Sequence, residues 1–559
     1  MEGGAAIAAS SLTSVHARDV ARLGARRPSS VRRVIQDGMR RIEEVAELAG
    51  FARDTLDLHG RNKAKVRGEP GAIRGRLVAV TAINPTPHGE GKTVTAIGLV
   101  DALAKIGKRV IGTLRQPSLG PIFGVKGGAT GSGRARLVPS DEINIHFTGD
   151  FHAVAAAQNL LAAMVDNHRF HGNALGVVDV RCNRTIDMND RALRHVTLDA
   201  GTKNERAGAF DIVAASEVMA ALALALDRSD LERRLARIVV GSRADASVVT
   251  AADLHAHGAM LALLRDALVP NLVQTLEGNP VLVHAGPFAN VASGNSSVIA
   301  DRLALAHADV VVTESGFGTD CGFEKLVDLK CRDAGYGPEV AVVVASRRAL
   351  AAHGGGDVRV GCRNLHKHVE NARAFGVACV VALNVFDDDE EDALRAIEDE
   401  ARAMGAPCAR SEVHARGGAG GEALARAVCD ALVGAKRAEP LYALEWDLRR
   451  KIETIARRVY GADAVSFGAA AARAIDAFEA LGYARLPICI AKTPASLSHD
   501  PKLLNRPEGF TFPIEEVRLY AGAGYVLPLA GAILTMPGLP ARPGAESIGL
   551  DASGAIVGV

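Results

Sequence analysis

LVAVTAINPTPHGEGKTVTAIGLVDALA, residues Leu77 to Ala104, sets the reading of the whole chain. An apolar, β-branched run from Leu77 to Ile83 stops at Pro85 and Pro87. It then crosses Gly89-Glu90-Gly91-Lys92-Thr93 and resumes with Ile97, Val100 and Leu103 at helical spacing. That pattern is strand, loop, helix. Glycines let backbone N–H groups converge on an anion, a helix start adds partial positive charge, a lysine reaches β- and γ-phosphates, and a threonine hydroxyl can ligate Mg²⁺. Residues Thr86, Pro87, His88, Gly89, Glu90, Gly91, Lys92 and Thr93 are therefore the candidate phosphate site, with Thr93 as the candidate metal ligand. The stretch departs from G-x-x-x-x-G-K-[ST], because Thr86 stands where the first glycine belongs.

The 559 residues suffice for several domains. Sixty-five basic against 64 acidic residues leave a net charge of +1, so no electrostatic footprint for nucleic acid or an anionic membrane exists and anion affinity must be local. Eight scattered cysteines form no C-x-x-C pair, which reads as a reducing, cytoplasmic setting without structural zinc. No apolar run approaches the ~20 residues of a membrane span. Residues 1–30 read as a variable, flexible extension; their Ala, Ser and Arg content also fits a transit peptide, against which Glu2 and Asp19 count.

After Ser29 or Ser30 a helix is expected from about Val31, with Val34, Ile35, Ile42, Val45 and Leu48 along one side. Beyond the opening unit, β-branched runs alternate with helical stretches. Strands are expected at Arg109–Leu114, Leu175–Val180, Ile238–Gly241, Val281–His284, Val310–Thr313, Val340–Ala345 and Cys379–Leu383. The fold class is α/β: a P-loop-type parallel sheet with helices on both faces, plus smaller C-terminal α/β domains. The expected divisions are 31–355 for the nucleotide core, 356–485 for a second α/β domain, and 486–559 for a Gly/Pro-rich domain. A hinge or loop is expected around Ala351–Val360, and the acidic run Asp387–Asp392 reads as a solvated helix start rather than a metal site.

Sites in such sheets lie at the carboxyl ends of strands. Lys92 follows the first strand, Arg115 the second, and Asp150 the alternating Ile143, Ile145, Phe147 segment, at the head of a helix. Each has a plainer reading, Arg115 as a strand-end ion pair and Asp150 as a helix cap; their common placement favours a site. A glycine-dense loop, Lys126 to Gly133, lies between Arg115 and Asp150.

Several strings together resemble the formate–tetrahydrofolate ligase family. They are Thr86–Thr93, LRQPSLGPIFGVKGG from Leu114, NIHFTGDFH from Asn144, DMNDRALR from Asp187, PNLVQTLE from Pro270, Gly286–Asn290, TESGFGTD from Thr313, and Met536–Pro540. The resemblance runs from about Val45 to the C-terminus. It implies that formate attacks the γ-phosphoryl of MgATP to give formyl phosphate, whose formyl group passes to N10 of tetrahydrofolate. Under that likeness Lys92, Arg115 and Asp150 are the catalytic set, and Phe288, Asn290 and Ser297 line the nucleotide. Phe386 and His414 line the folate, and the family further implies polyglutamylated folate and a homotetramer.

Departures cluster on the folate side. His414 replaces a usual tryptophan, Arg134 a tyrosine, Val385 a lysine, Ala495 a tyrosine and Ser293 a histidine. Gln116 stands where many bacterial members carry a glutamate tied to activation by a monovalent cation, which leaves cation dependence open. The alternatives are a diverged homologue acting as a weak ATPase, on another acceptor or as a regulatory binding protein, and a partner-cycled P-loop ATPase. The second leaves everything beyond the opening motif unexplained.

Overall fold

The computed structural model describes residues 39–126, 129–531 and 533–558. The decisive stretch forms strand β1 (Arg76–Ala82) and helix α1 (Lys92–Lys105). Val78, Val80 and Ala82 of β1 pack with α1, while Leu77 and Ala79 point to the opposite face. A strand buried on both sides needs an unbroken apolar run, which is what the sequence supplies.

Seven further strands complete the sheet that matters here: β2 (Val110–Leu114), β3 (Asn271–Thr275), β4 (Pro280–Val283), β5 (Val310–Gly318), β6 (Pro338–Ser346), β7 (Ala378–Asn384) and β8 (Cys408–Ser411). Their spatial order is β3-β4-β2-β5-β1-β6-β7-β8 within a twelve-stranded sheet. From β4 to β8 every neighbour is parallel. β3 runs antiparallel to β4 and carries Ala64–Val66 and Ala135–Val138 beside it.

Six further helices matter here: α2 (Asp150–Phe170), α3 (Val298–His307), α4 (Arg347–His353), α5 (Val358–Ala374), α6 (Glu391–Ala403) and α7 (Glu422–Leu432). Helices α1 and α7 cover one face, and α3, α5 and α6 the other. Helix α1 is buried almost all round, because Gly98 lets Val413 approach so closely that a Cβ there would stand 2.3 Å from the Val413 Cβ. No described helix is long and apolar enough to cross a membrane.

Several expectations change. Val31, Val34 and Ile35 lie outside the described residues, as do residues 1–30 and Gly127-Gly128. The described helix begins at Ile42 after an extended Arg41, burying Ile42 and Val45 but leaving Leu48 exposed. Only Asp179–Val180 of the Leu175 run is strand. It joins Val239–Ser242 and Val248–Thr250 in a separate antiparallel sheet. Val178 there is exposed, as one-sided antiparallel sheets allow. The Ile143-Ile145-Phe147 alternation is not a strand: Ser140–Asn144 is helical, and Ile143 and Phe147, four apart, are the buried pair.

β3 escapes a reading by periodicity because Asn271 and Gln274 interrupt its apolar run. Both are buried, Asn271 bonding to Asp150 and Gln274 donating to the Arg40 carbonyl. Residues 356–485 contribute β7 and β8 to the central sheet, so the boundary after 355 falls inside the β6-to-β7 crossover. Gly354–Gly356 is a tight turn between packed helices α4 and α5 rather than a hinge.

One buried carboxyl makes stability pH-dependent. Glu217 accepts the Gly522 N–H at 2.7 Å and the Ala523 N–H at 3.2 Å through one oxygen. Burial pushes it up to about 8 from its ordinary 4.5. Between those values the folded chain keeps a proton that the unfolded chain has released, so this group's contribution to stability falls as pH rises. Glu217→Gln retains the accepting oxygen and removes the titration. Its thermal midpoint is expected to drop less than the parent's between about pH 5 and pH 8; an unchanged pH slope refutes the assignment.

Candidate functional site

The loop after β1 closes on itself. Thr86 N–H donates to Glu90 Oε1 at 2.6 Å, His88 N–H to Thr86 Oγ1 at 3.3 Å, and Gly89 N–H to Thr86 O at 3.1 Å. Pro87, His88 and Gly89 lie at its tip, where His88 and Gly89 are exposed. Gly91 caps α1 at φ +76°, a region that disfavours a side chain, and a Cβ there would stand 2.6 Å from Asn384 Nδ2. Asn384 ends β7; its Nδ2 donates to Glu90 O at 2.9 Å and its Oδ1 accepts from Thr95 Oγ1 at 3.0 Å. One amide therefore clamps the loop to both sheet and helix.

Lys92 opens α1, and its Nζ lies 3.5 Å from Glu90 Oε2, longer than a strong hydrogen bond. Thr93 beside it is half-buried. The first amides of α1 lack intrahelical acceptors and carry the positive end of the helix dipole.

Arg115 follows β2. Only β5 separates β2 from β1, so the two strand ends stand about 10 Å apart along one edge. Arg115 Nη1 donates to Pro287 O at 3.1 Å, and Nη2 lies 3.9 Å from Glu314 Oε1. Burial holds the guanidinium below its ordinary value, with the Glu314 charge opposing that shift. Phe288 and Asn290 are half-buried in the next loop, whose Ala289 carbonyl accepts from the buried Lys325 Nζ at 2.6 Å. Ser297 differs from the expectation: it is fully buried, its hydroxyl accepting from Ala300 N–H at 2.9 Å to cap α3 and bonding His284 Nδ1 at 2.6 Å.

Strand register pairs Asn384 with Ser411. Phe386 and His414 thus leave neighbouring strands two and three residues beyond that pair. Phe386 is half-buried and His414 exposed. The His414 ring lies against Gly133, and its carbonyl accepts the Arg134 N–H at 2.8 Å, so two of the altered residues sit side by side.

Asp150 is the most enclosed of the catalytic candidates. It is 3% exposed; Lys65 Nζ donates to its Oδ1 at 2.8 Å and Asn271 Nδ2 to its Oδ2 at 2.7 Å. A carboxylate held this way fixes the start of α2 and is poorly placed to take a substrate proton.

Two groups escape sequence reasoning. Asp187 accepts from Ser118 Oγ at 2.6 Å and Leu119 N–H at 2.9 Å, while Arg194 Nε donates to Met536 O at 2.9 Å, joining three separate strings into one wall. That wall borders a recess lined by Gln116, His146, His152 and Asp187. Behind the loop that follows β1, Asn84 Nδ2 donates to Asp320 Oδ2 at 3.1 Å, and Lys492 Nζ donates to the same oxygen at 2.5 Å. Their signal in the sequence is the family-like strings that hold Ser118, Asp187, Arg194, Asp320 and Met536, and for Asn84 and Asp320 a position just past a strand end.

The family described as formate–tetrahydrofolate ligase matches residues 30–559. The formate–tetrahydrofolate ligase of Acidiphilium cryptum (strain JF-5) is 53% identical over 548 residues, covering 93% of this chain and 98% of the relative. That of Roseiflexus sp. (strain RS-1) is 51% identical over 551 residues, covering 93% and 98%. That of Thermus thermophilus is 50% identical over 540 residues, covering 94% and 99%.

The clamp on the loop is testable without substrate. Gly91→Ala places a methyl in a left-handed residue against Asn384 and is expected to cost about 1–2 kcal/mol in chemical denaturation. An unchanged midpoint overturns that account of the loop.

Proposed function

Because this chain belongs to the formate–tetrahydrofolate ligase family, we propose that it joins formate to tetrahydrofolate at the carboxyl edge of its central sheet, using ATP through formyl phosphate. One observation carries the assignment of the site. Lys92 and Arg115 have carboxylates no closer than 3.5 and 3.9 Å, whereas the buried Lys65, Lys330 and Lys492 are paired at 2.8, 2.6 and 2.5 Å. The two edge cations can turn to an arriving anion without breaking a strong ion pair.

In the first step a formate oxygen attacks the γ-phosphorus, the bond to the bridging oxygen breaks, and ADP leaves. Lys92 and the first amides of α1 offset charge on the transferring group, in a P-loop-type arrangement. The planar fork of Arg115 suits formate and then the acyl phosphate. Thr93 would hold Mg²⁺, an ion usually bound by few protein oxygens plus substrate phosphates, and the ion would offset phosphate charge there. Phe288 and Asn290 line base and ribose, and Ser297 supports them from α3.

In the second step N10 attacks the formyl carbon, the carbon–oxygen bond to phosphate breaks, and the N10 proton is released. Phe386 and His414 hold the pterin by stacking. Asp150 acts on this step only by fixing α2. Cytoplasmic location, polyglutamylated folate and a homotetramer belong to the same reading.

The test is direct: formate, MgATP and tetrahydrofolate should yield product, read as the methenyl chromophore after acidification, in step with ADP. ATP binding without product favours a homologue whose folate site has drifted. Lys92→Ala is expected to lower the rate by at least about a hundredfold, and a near-normal rate defeats its phosphate role. His414→Trp restores a larger stacking surface and is expected to tighten folate about threefold to tenfold, measured as KM; unchanged or weaker binding counts against stacking there.

A further inference from the structure

The acidic run Asp387–Asp392 is solvated at Asp387 and Asp388, as its composition suggests, but the side chain of Asp389 is completely buried. Its Oδ1 accepts from Arg347 Nε at 2.7 Å and its Oδ2 from Phe386 N–H at 2.9 Å. Its own N–H donates to Phe386 O at 3.0 Å. The main chain of Phe386 is thereby held at both its donor and its acceptor. Arg348, the next residue along α4, lays its guanidinium carbon 4.5 Å from the centroid of the Phe386 ring and is paired with Asp388.

Strand register explains how these groups meet. Ser346, the last residue of β6, pairs with Asn384, the last of β7. Arg347 and Arg348 therefore begin α4 beside the point where Val385 and Phe386 leave the sheet.

We propose that Asp389, Arg347 and Arg348 are positioning residues for the folate: together they fix the Phe386 ring with one face covered by Arg348 and the opposite face offered to the pterin. This rests on the reading that Phe386 stacks on that ring. Two physical effects follow from the arrangement. A ring already locked surrenders no rotamer freedom when the pterin arrives. A cation over one face also draws π density toward itself, which favours an electron-rich reduced pterin on the other.

The experiment compares KM for tetrahydrofolate and for ATP in the full-length chain and in Phe386→Leu, Arg348→Met, Arg348→Lys and the Phe386→Leu/Arg348→Met double variant. Arg348→Met is expected to raise the folate KM about fivefold with the ATP KM unchanged, and Arg348→Lys to recover part of that loss. In the Phe386→Leu background, Arg348→Met is expected to add less than about twofold, since it acts through the ring. Asp389→Asn, which weakens the tie to Arg347, is expected to move the folate KM in the same direction. An equal effect of Arg348→Met in both backgrounds, or a parallel rise in the ATP KM, overturns the proposal. A Phe386→Leu variant with an unchanged folate KM removes the stacking reading itself. A Phe386→Leu effect without an Arg348→Met effect removes only the positioning role.

Discussion

Parallel pairing is the constraint on which this molecule depends. Along the order β4-β2-β5-β1-β6-β7-β8 the strands all run the same way, so a crossover must carry the chain back before the next parallel strand begins. All the exits therefore fall on one edge. Both faces of the sheet are sealed by helices, which leaves that edge as the place where polar side chains from distant parts of the sequence can meet. Lys92, Arg115, Phe386 and His414 are separated by up to about three hundred residues and still share it.

Shared placement does not by itself make a rigid site; the rigidity comes from buried polar ties across strands. Asn384 joins β7 to the loop after β1 and to α1. Asn84 bonds Asp320, while Asn364 and His368 bond Asn84, so the crossover helix α5 is held to the end of β1. Lys492 extends that network to the C-terminal segment. Such groups are costly to bury unless satisfied, and satisfied they specify one arrangement. The Gly/Pro-rich tail, poor in regular structure, is thus fastened to the core by side chains.

What can be read from the chain alone follows from periodicity. β1, β2, β5, β6 and β7 are apolar runs because both their faces are covered, and the glycine-lysine-threonine turn announces the start of α1. What cannot be read depends on partners distant in sequence. β3 hides behind Asn271 and Gln274, acceptable in a core only because Asp150 and the Arg40 carbonyl receive them. Asp150 looks like an edge group because no local pattern reveals that Lys65, eighty-five residues earlier, closes its carboxylate. Asp389 looks like one more solvated charge for the same reason. The family match across residues 30–559 disfavours a partner-cycled ATPase that would need only the opening motif.

The near-zero net charge sharpens the division of labour between the two edge cations. Without a long-range field, discrimination among anions must come from what each cation already faces. Glu90 accepts the Thr86 amide and stands closest to Lys92, so a carboxylate already occupies that position within the loop. A monocarboxylate gains little by replacing another, whereas a triphosphate brings more charge and more acceptors to Lys92 and the α1 amides. Arg115 faces Glu314 without a hydrogen bond, and its fork can close on a small carboxylate in two parallel bonds. On the proposed reading both edge cations face a protein carboxylate without a strong ion pair, so the charge density of each ligand and the shape of each cation, rather than a long-range field, sort nucleotide and acid along the edge.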